Sequence, residues 1–310
     1  MFKKIVFMGT PFFSVPILKS LHQNGYPLSV VYTQPPQKSE RGQKINKSPI
    51  QEVSENLNIE CRAPLDLRQN NEEYEYLKKL DIDIVIVVAY GKIIPKKFLS
   101  LSKKGFINIH ASLLPKWRGA APIQRSIINL EKETGISIMK IVEDLDSGPI
   151  CNSYKVDISV NDNAEKISEK LSSLAAKKIL DNIQDILKNK IVFTDQTHSQ
   201  ATYAPKIKKS EGQINWNENA ENVIGKINGL YPNPGAFFIY EGDRYKILKA
   251  KLAFGSGKIG DVLSDLLEIS CGNKKSIKVL EIQRQGKKVQ NINEFMFGSK
   301  IKKGANLNNE

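Results

Sequence analysis

Residues 84–90, Ile-Val-Ile-Val-Val-Ala-Tyr, are apolar at every position. A strand sends successive side chains to opposite faces, so a run without polar alternation must be covered on both sides. An inner strand of a parallel sheet with helices on each face meets that condition. A membrane span does not, because it needs about 18 or more apolar residues. The flanking sequence agrees. Residues 3–9 read as a first strand, 14–25 as a helix ending at Gly25, and 28–33 as a second strand, which together make a strand-helix-strand unit. Residues 105–111 read as a further strand, 121–133 as a helix with Pro122 near its first turn, and 135–158 as two strands about a turn at Asp146, Ser147 and Gly148. Ile167, Leu171, Leu174, Ile179, Ile183 and Ile186 recur at helical spacing and mark the core face of a long helix. The expected fold class is therefore α/β, a doubly wound, Rossmann-like and mostly parallel sheet over residues 1–188.

After residue 188 the pattern changes. Residues 189–206 lose periodicity and read as a linker. Residues 207–310 carry short alternating segments broken by Gly, Asn and Pro, with one helix near 219–231, which predicts an OB-like β-barrel. A chain of 310 residues can bury a core in each of two such domains. Cys61, Cys151 and Cys271 are far apart with no C-x-x-C spacing, which argues against a disulfide framework or a thiolate metal site and for a reducing, cytoplasmic setting. Lys3 and Lys4 precede an apolar stretch, but Gly9 and Pro11 end it too early for a signal peptide. The formal charge is +13, and residues 202–310 hold 18 Lys and Arg against 11 Asp and Glu. A basic C-terminal part is a modest nucleic-acid signal. Residues 34–49, Pro/Gly-rich and basic, sit where a doubly wound fold needs a connection of only about 2 to 6 residues. They read either as a solvated insertion or as a clamp that orders on an anionic partner.

Chemistry concentrates near residues 106–122, Phe-Ile-Asn-Ile-His-Ala-Ser-Leu-Leu-Pro-Lys-Trp-Arg-Gly-Ala-Ala-Pro. Asn108 and His110 are two apart in a strand and share one face, at the carboxyl end where open α/β sheets bind ligands. Taken alone, the pair is equally well a satisfied buried couple. Asp146, in the turn after another sheet strand, adds a carboxylate able to reach the same crevice. Without a Ser or Cys elbow or metal-ligand spacing, this trio suits an acyl transfer whose nucleophile is a substrate amine. An Asn amide and a protonated His would donate to the tetrahedral oxyanion, and Asp146 would stabilise the imidazolium and relay the proton lost by the amine. The first turn, Met-Gly-Thr-Pro-Phe-Phe, has a single Gly and lacks the dinucleotide fingerprint, which disfavours a nucleotide-dependent dehydrogenase.

Asn108-x-His110, the 112–124 stretch Ser-Leu-Leu-Pro-Lys-Trp-Arg-Gly-Ala-Ala-Pro-Ile-Gln and the 145–150 stretch Leu-Asp-Ser-Gly-Pro-Ile resemble the 10-formyltetrahydrofolate-dependent formyltransferases. The basic loop, residues 202–216 and residues 229–237 point to the branch acting on methionyl initiator tRNA, and the likeness runs over essentially the whole chain. The resemblance implies Asn108, His110 and Asp146 as the catalytic trio. It puts Val88, Ala89, Tyr90, Gly91, Ser112, Leu113, Leu114 and Pro115 beside the folate co-substrate, with no metal. It puts Arg41 and Lys44 of the loop, and Lys206, Lys208 and Lys209, on tRNA. Phe12 and Phe13 fall near the aminoacyl end, with simple packing the competing reading for either. Arg118 is read as a loop anchor held by a salt bridge. Tyr231-Pro232-Asn233-Pro234-Gly235 lacks the aromatic residue usual between the prolines, and Ser147 stands where Thr is commoner. A monomer without membrane contact is expected. The rival enzyme reading is a formyltransferase for a small amine, such as a sugar nucleotide or glycinamide ribonucleotide, which would have no use for the basic loop and basic domain. The rival of another class is a noncatalytic RNA-binding protein, which leaves Asn108, His110 and Asp146 unexplained.

Overall fold

The main sheet has seven strands: β1 (Ile5–Gly9), β2 (Leu28–Tyr32), β3 (Cys61–Arg62), β4 (Ile84–Val88), β5 (Phe106–His110), β6 (Glu133–Lys140) and β7 (Ile150–Asp157). Their spatial order is β7-β6-β5-β4-β1-β2-β3. The structure, a computed structural model, describes residues 4–39 and 44–308. Strands β1 to β5 pair in parallel, and β6 joins β5 antiparallel, with His110 opposite Ser137. As the apolar run requires, every residue of β4 is buried. On one face Val85 and Val87 join Val6, Met8, Val30, Tyr32 and Phe106 in a single cluster, and on the other Ile84, Ile86 and Val88 are equally enclosed.

Two compact units emerge, and the division is not one cut along the chain. The first comprises Met1–Gly119, Gly135–Val156 and Ser168–Tyr203; the second comprises Ala120–Thr134, Asp157–Ile167 and Ala204–Glu310. In the second unit β8 (Ala236–Tyr240), β9 (Asp243–Ala253), β10 (Glu268–Ser270) and β11 (Ser276–Arg284) form an antiparallel sheet in the order β8-β9-β11-β10, with β12 (Gln290–Asn291) also on β11. Its core stacks Phe238 on Tyr245, with ring centroids 5.4 Å apart, beside buried Trp216. The helix Ala220–Leu230 packs on the helix Pro122–Ile128 of the same unit. Glycine at 225 and 229 permits the approach: an added Cβ would lie 2.7 Å from Leu130 Cδ2 at the first and 2.6 Å from Ile128 Cγ1 at the second.

Two segments carry structure of their own. Within residues 34–49, Gln37–Ser39 pairs antiparallel with Lys44–Asn46. The base of this pair is closed by the Thr33 and Ser48 hydroxyls, 2.6 Å apart, and Ser48 also caps the following helix by accepting from Gln51 N. Composition signals a loop, but two ends tied this closely favour main-chain pairing between them. In the segment 189–206, read as a linker, Thr194 bridges Ile150, and Gln196 is buried.

Candidate active site

Asn108 and His110 close β5 on the same face as Phe106, two residues apart, as strand geometry dictates. His110 is only 6% exposed. Its Nε2 lies 3.0 Å from the Trp117 carbonyl oxygen, which can only accept, so Nε2 carries a proton. Nδ1 faces Asp146 Oδ2 at 3.7 Å, longer than a hydrogen bond and close enough for strong electrostatic contact. Both ring nitrogens thus face oxygen acceptors. The half-buried Asn108 amide has no hydrogen-bond partner among the described residues and is free to donate to a ligand.

Asp146 reaches this place because its loop doubles back. Ile141 N donates to Phe106 O at the start of β5, whereas Asp146 lies beside His110 at its end. The backbone of Asp146 is left-handed, with φ of 47°, and its Oδ2 also accepts from Gly119 N at 2.9 Å. Gly148 allows the return, since a Cβ there would sit 2.0 Å from Lys140 O. The wall after His110 is pinned as well. Ser112 Oγ donates to Lys116 O, Leu114 N donates to Ser137 Oγ, and Ser137 Oγ donates to Ser112 O. Ser112 and Leu114 are buried, while Leu113 and Pro115 are partly exposed.

Of the turn at 88–91, the backbone and not the Tyr90 ring faces outward. Ala89 and Gly91 are exposed with positive φ, and Tyr90 is buried in the sheet core. Its hydroxyl has no partner among the described residues, and burial pushes its pKa well up. The turn is fixed from behind by Ser14 Oγ donating to Val88 O and by Thr10 Oγ1 and Gln34 Nε2 donating to Tyr90 O. Phe12 is 78% exposed just past β1, so packing does not account for it, and Phe13 is half-buried. Arg118 departs from its reading in one respect. It is buried, but its guanidinium donates from Nε and Nη2 to the amide oxygen of Gln196 at 3.0 and 2.7 Å, where a carboxylate was expected. Arg41 and the Lys44 side chain lie outside the described residues.

In the second unit Lys206, Lys208 and Lys209 are exposed. Lys206 and Lys209 line a cavity of about 590 Å³ together with Gln124, Asn233, Arg244 and Lys246. Arg244 and Lys246 are two apart on β9 and share a face, a period-two basic pattern that the sequence reading left unassigned. The Arg244 guanidinium stacks 3.6 Å over the Phe237 ring, and the Arg244 Nε has no partner among the described residues. Burial, with Arg244 adding to it, holds the Lys246 ammonium below the usual lysine range. Four basic side chains, Lys206, Lys209, Arg244 and Lys246, therefore line one cavity.

Residues 3–183 match the formyl transferase family, and residues 206–300 match the formyl transferase C-terminal domain. Over 309 residues the chain is 68% identical to the methionyl-tRNA formyltransferase of Pelagibacter ubique (strain HTCC1062), covering 100% of both. The chain belongs to the methionyl-tRNA formyltransferases. It is also 39% identical to the methionyl-tRNA formyltransferase of Caldanaerobacter subterraneus subsp. tengcongensis, over 98% of this chain and 99% of that one. Among solved structures, an N-formyltransferase from Helicobacter canadensis in complex with folinic acid and dTDP-3-aminofucose aligns with a TM-score of 0.68 at 21% identity, covering 90% of this chain and 99% of that one. HypX from Aquifex aeolicus, in complex with tetrahydrofolic acid, aligns with a TM-score of 0.66 at 14% identity, covering 98% of this chain and 49% of that one. At these identities the structural likeness speaks for the fold alone. Gln196, whose amide donates to the Asp146 and Gly148 carbonyls, also escaped the sequence reading; it lies in a stretch with no periodicity to mark it.

Proposed function

We propose that Asn108, His110 and Asp146 carry the formylation of the α-amino group of methionyl initiator tRNA, with 10-formyltetrahydrofolate as formyl donor and a monomer as the acting unit. The observation that carries this reading is the convergence of a free Asn amide, a buried His and a carboxylate at the end of β5, in a chain 68% identical over its whole length to a methionyl-tRNA formyltransferase. The amine adds to the formyl carbon, forming one C–N bond and placing negative charge on the formyl oxygen. The Asn108 amide donates to that oxygen, the group whose charge grows most in the transition state. The proton shed by the amine passes to the Asp146 and His110 pair, and His110 returns one to the departing folate nitrogen as the second C–N bond breaks. Protons balance over the cycle, and an α-amino group with an ordinary pKa of about 8 needs little activation.

The co-substrate is proposed to lie along the exposed backbone of Ala89 and Gly91 and the pinned wall at Ser112 to Pro115. The stiffness of both segments suits a planar ligand that must hold its formyl group beside Asn108. Phe12 offers an apolar surface for the aminoacyl end, with Phe13 behind it. Lys206, Lys208, Lys209, Arg244 and Lys246 are proposed to take tRNA phosphates, and Arg41 and Lys44 to add contacts from the loop. A small-amine acceptor is the lesser reading because it gives the basic cavity no role. Incubating the protein with 10-formyltetrahydrofolate and either charged initiator tRNA or an amino-sugar nucleotide separates the two. Formyl transfer to the sugar and not to the tRNA would overturn the proposal.

A further inference from the structure

The Asp146 turn is held by an amide far along the chain. Gln196 is 6% exposed, and its side-chain amide uses both its N–H donors and its oxygen. Its Nε2 donates to Asp146 O at 2.9 Å and to Gly148 O at 2.8 Å. Its Oε1 accepts both of the Arg118 bonds described above. The buried Arg118 guanidinium has no carboxylate partner among the described residues; besides Gln196, its Nη2 meets His198 Nδ1 at 3.3 Å. A cation on the amide oxygen polarises the amide and strengthens the two N–H bonds on its far side. Those bonds fall on the carbonyls of Asp146 and of the residue two further on, and together they fix a backbone standing in the left-handed region, which few residues besides Gly, Asn and Asp adopt.

We propose that Gln196, polarised by Arg118, is a positioning residue for catalysis: it sets the Asp146 carboxylate against His110 Nδ1 without touching substrate. The inference rests on Asp146 being the carboxylate the reaction uses. A merely structural brace would serve as well on any loop, but this one ends on the single residue whose side chain must stay 3.7 Å from His110 and also accept from Gly119 N.

The test is a double-mutant cycle on the full-length enzyme. Gln196→Glu keeps an acceptor for Arg118 but turns a carboxylate oxygen toward the two carbonyls, releasing the turn. It is expected to lower kcat by about 10- to 100-fold, the scale of a small misplacement of a reacting group, while KM for charged tRNA and for 10-formyltetrahydrofolate stays near its original value. In an Asp146→Asn background the same substitution should change kcat by less than about twofold, because the group it positions is already disabled. A wild-type kcat for Gln196→Glu, or an equal loss in both backgrounds, overturns the inference. A wild-type kcat for Asp146→Asn alone overturns instead the catalytic assignment beneath it. Should Gln196→Glu fail to fold, Arg118→Lys, which keeps the cation but loses one of the two donors, goes through the same cycle with a smaller loss expected and the same outcomes deciding.

Discussion

Asn108→Ala separates catalysis from stability in this enzyme. The amide is half-buried and has no partner among the described residues, so truncating it breaks no hydrogen bond and leaves no group stranded. Its neighbours on the strand, Ile107 and Ile109, supply the packing and are untouched. The folded state should therefore lose no more than about 0.5 kcal/mol, the scale of a substitution that disturbs no special feature. In the transition state the same amide faces a developing oxyanion. Removing one such donor costs about 2.7 to 4 kcal/mol, a 100- to 1,000-fold fall in kcat. Single-turnover formylation of charged initiator tRNA at saturating 10-formyltetrahydrofolate reads the rate, and thermal melting reads the stability. Asn108→Asp, which keeps the size of the side chain but cannot donate when ionised, should be at least as impaired, showing that donation and not shape is at stake. A rate within about threefold of wild type for Asn108→Ala, or a loss of melting temperature large enough to explain the rate, would refute the reasoning.

Other substitutions should part company with that pattern. His110→Ala should lose turnover and also about 1 to 3 kcal/mol of stability in urea titration, because the Trp117 carbonyl loses its ring donor in a buried site. Lys246→Ala should weaken tRNA binding and reduce the slope of log K against log salt by about 1 while leaving kcat at saturating tRNA in place; an unchanged slope measured by filter binding would remove Lys246 from the phosphate contacts. Tyr90→Phe should leave stability equal or slightly raised, since the hydroxyl it deletes is buried without a partner among the described residues; a loss above about 1 kcal/mol in chemical denaturation would mean that the hydroxyl is satisfied.

The alternation rule was enough to anticipate much of this fold. An all-apolar run at 84–90 demanded a covered parallel strand, and β4 is buried throughout. Period two placed Asn108 and His110 on one face and, read on β9, would have placed Arg244 and Lys246 together as well. Local chemistry also marked the turn containing Gly148, whose missing side chain admits Lys140 O. Each of these follows from interactions among residues near one another in the chain, which a sequence displays directly.

What the sequence could not display is which distant backbone groups each side chain would satisfy. That Asp146 folds back along β5 to His110 depends on a hydrogen bond between Ile141 and Phe106 and on close packing at Gly148. That Tyr90 lies in the core while its neighbours face outward depends on Ser14, Thr10 and Gln34 holding the turn from behind. Gln196 is the clearest case. Nothing within several residues of it is periodic, charged in a pattern or conformationally special, and its role exists only because folding buries Arg118 and two carbonyls around it. Sequence determined the strands and the chemical groups available to the site. Tertiary structure alone decided their partners, because a buried polar group must find its complement wherever in the chain that complement lies.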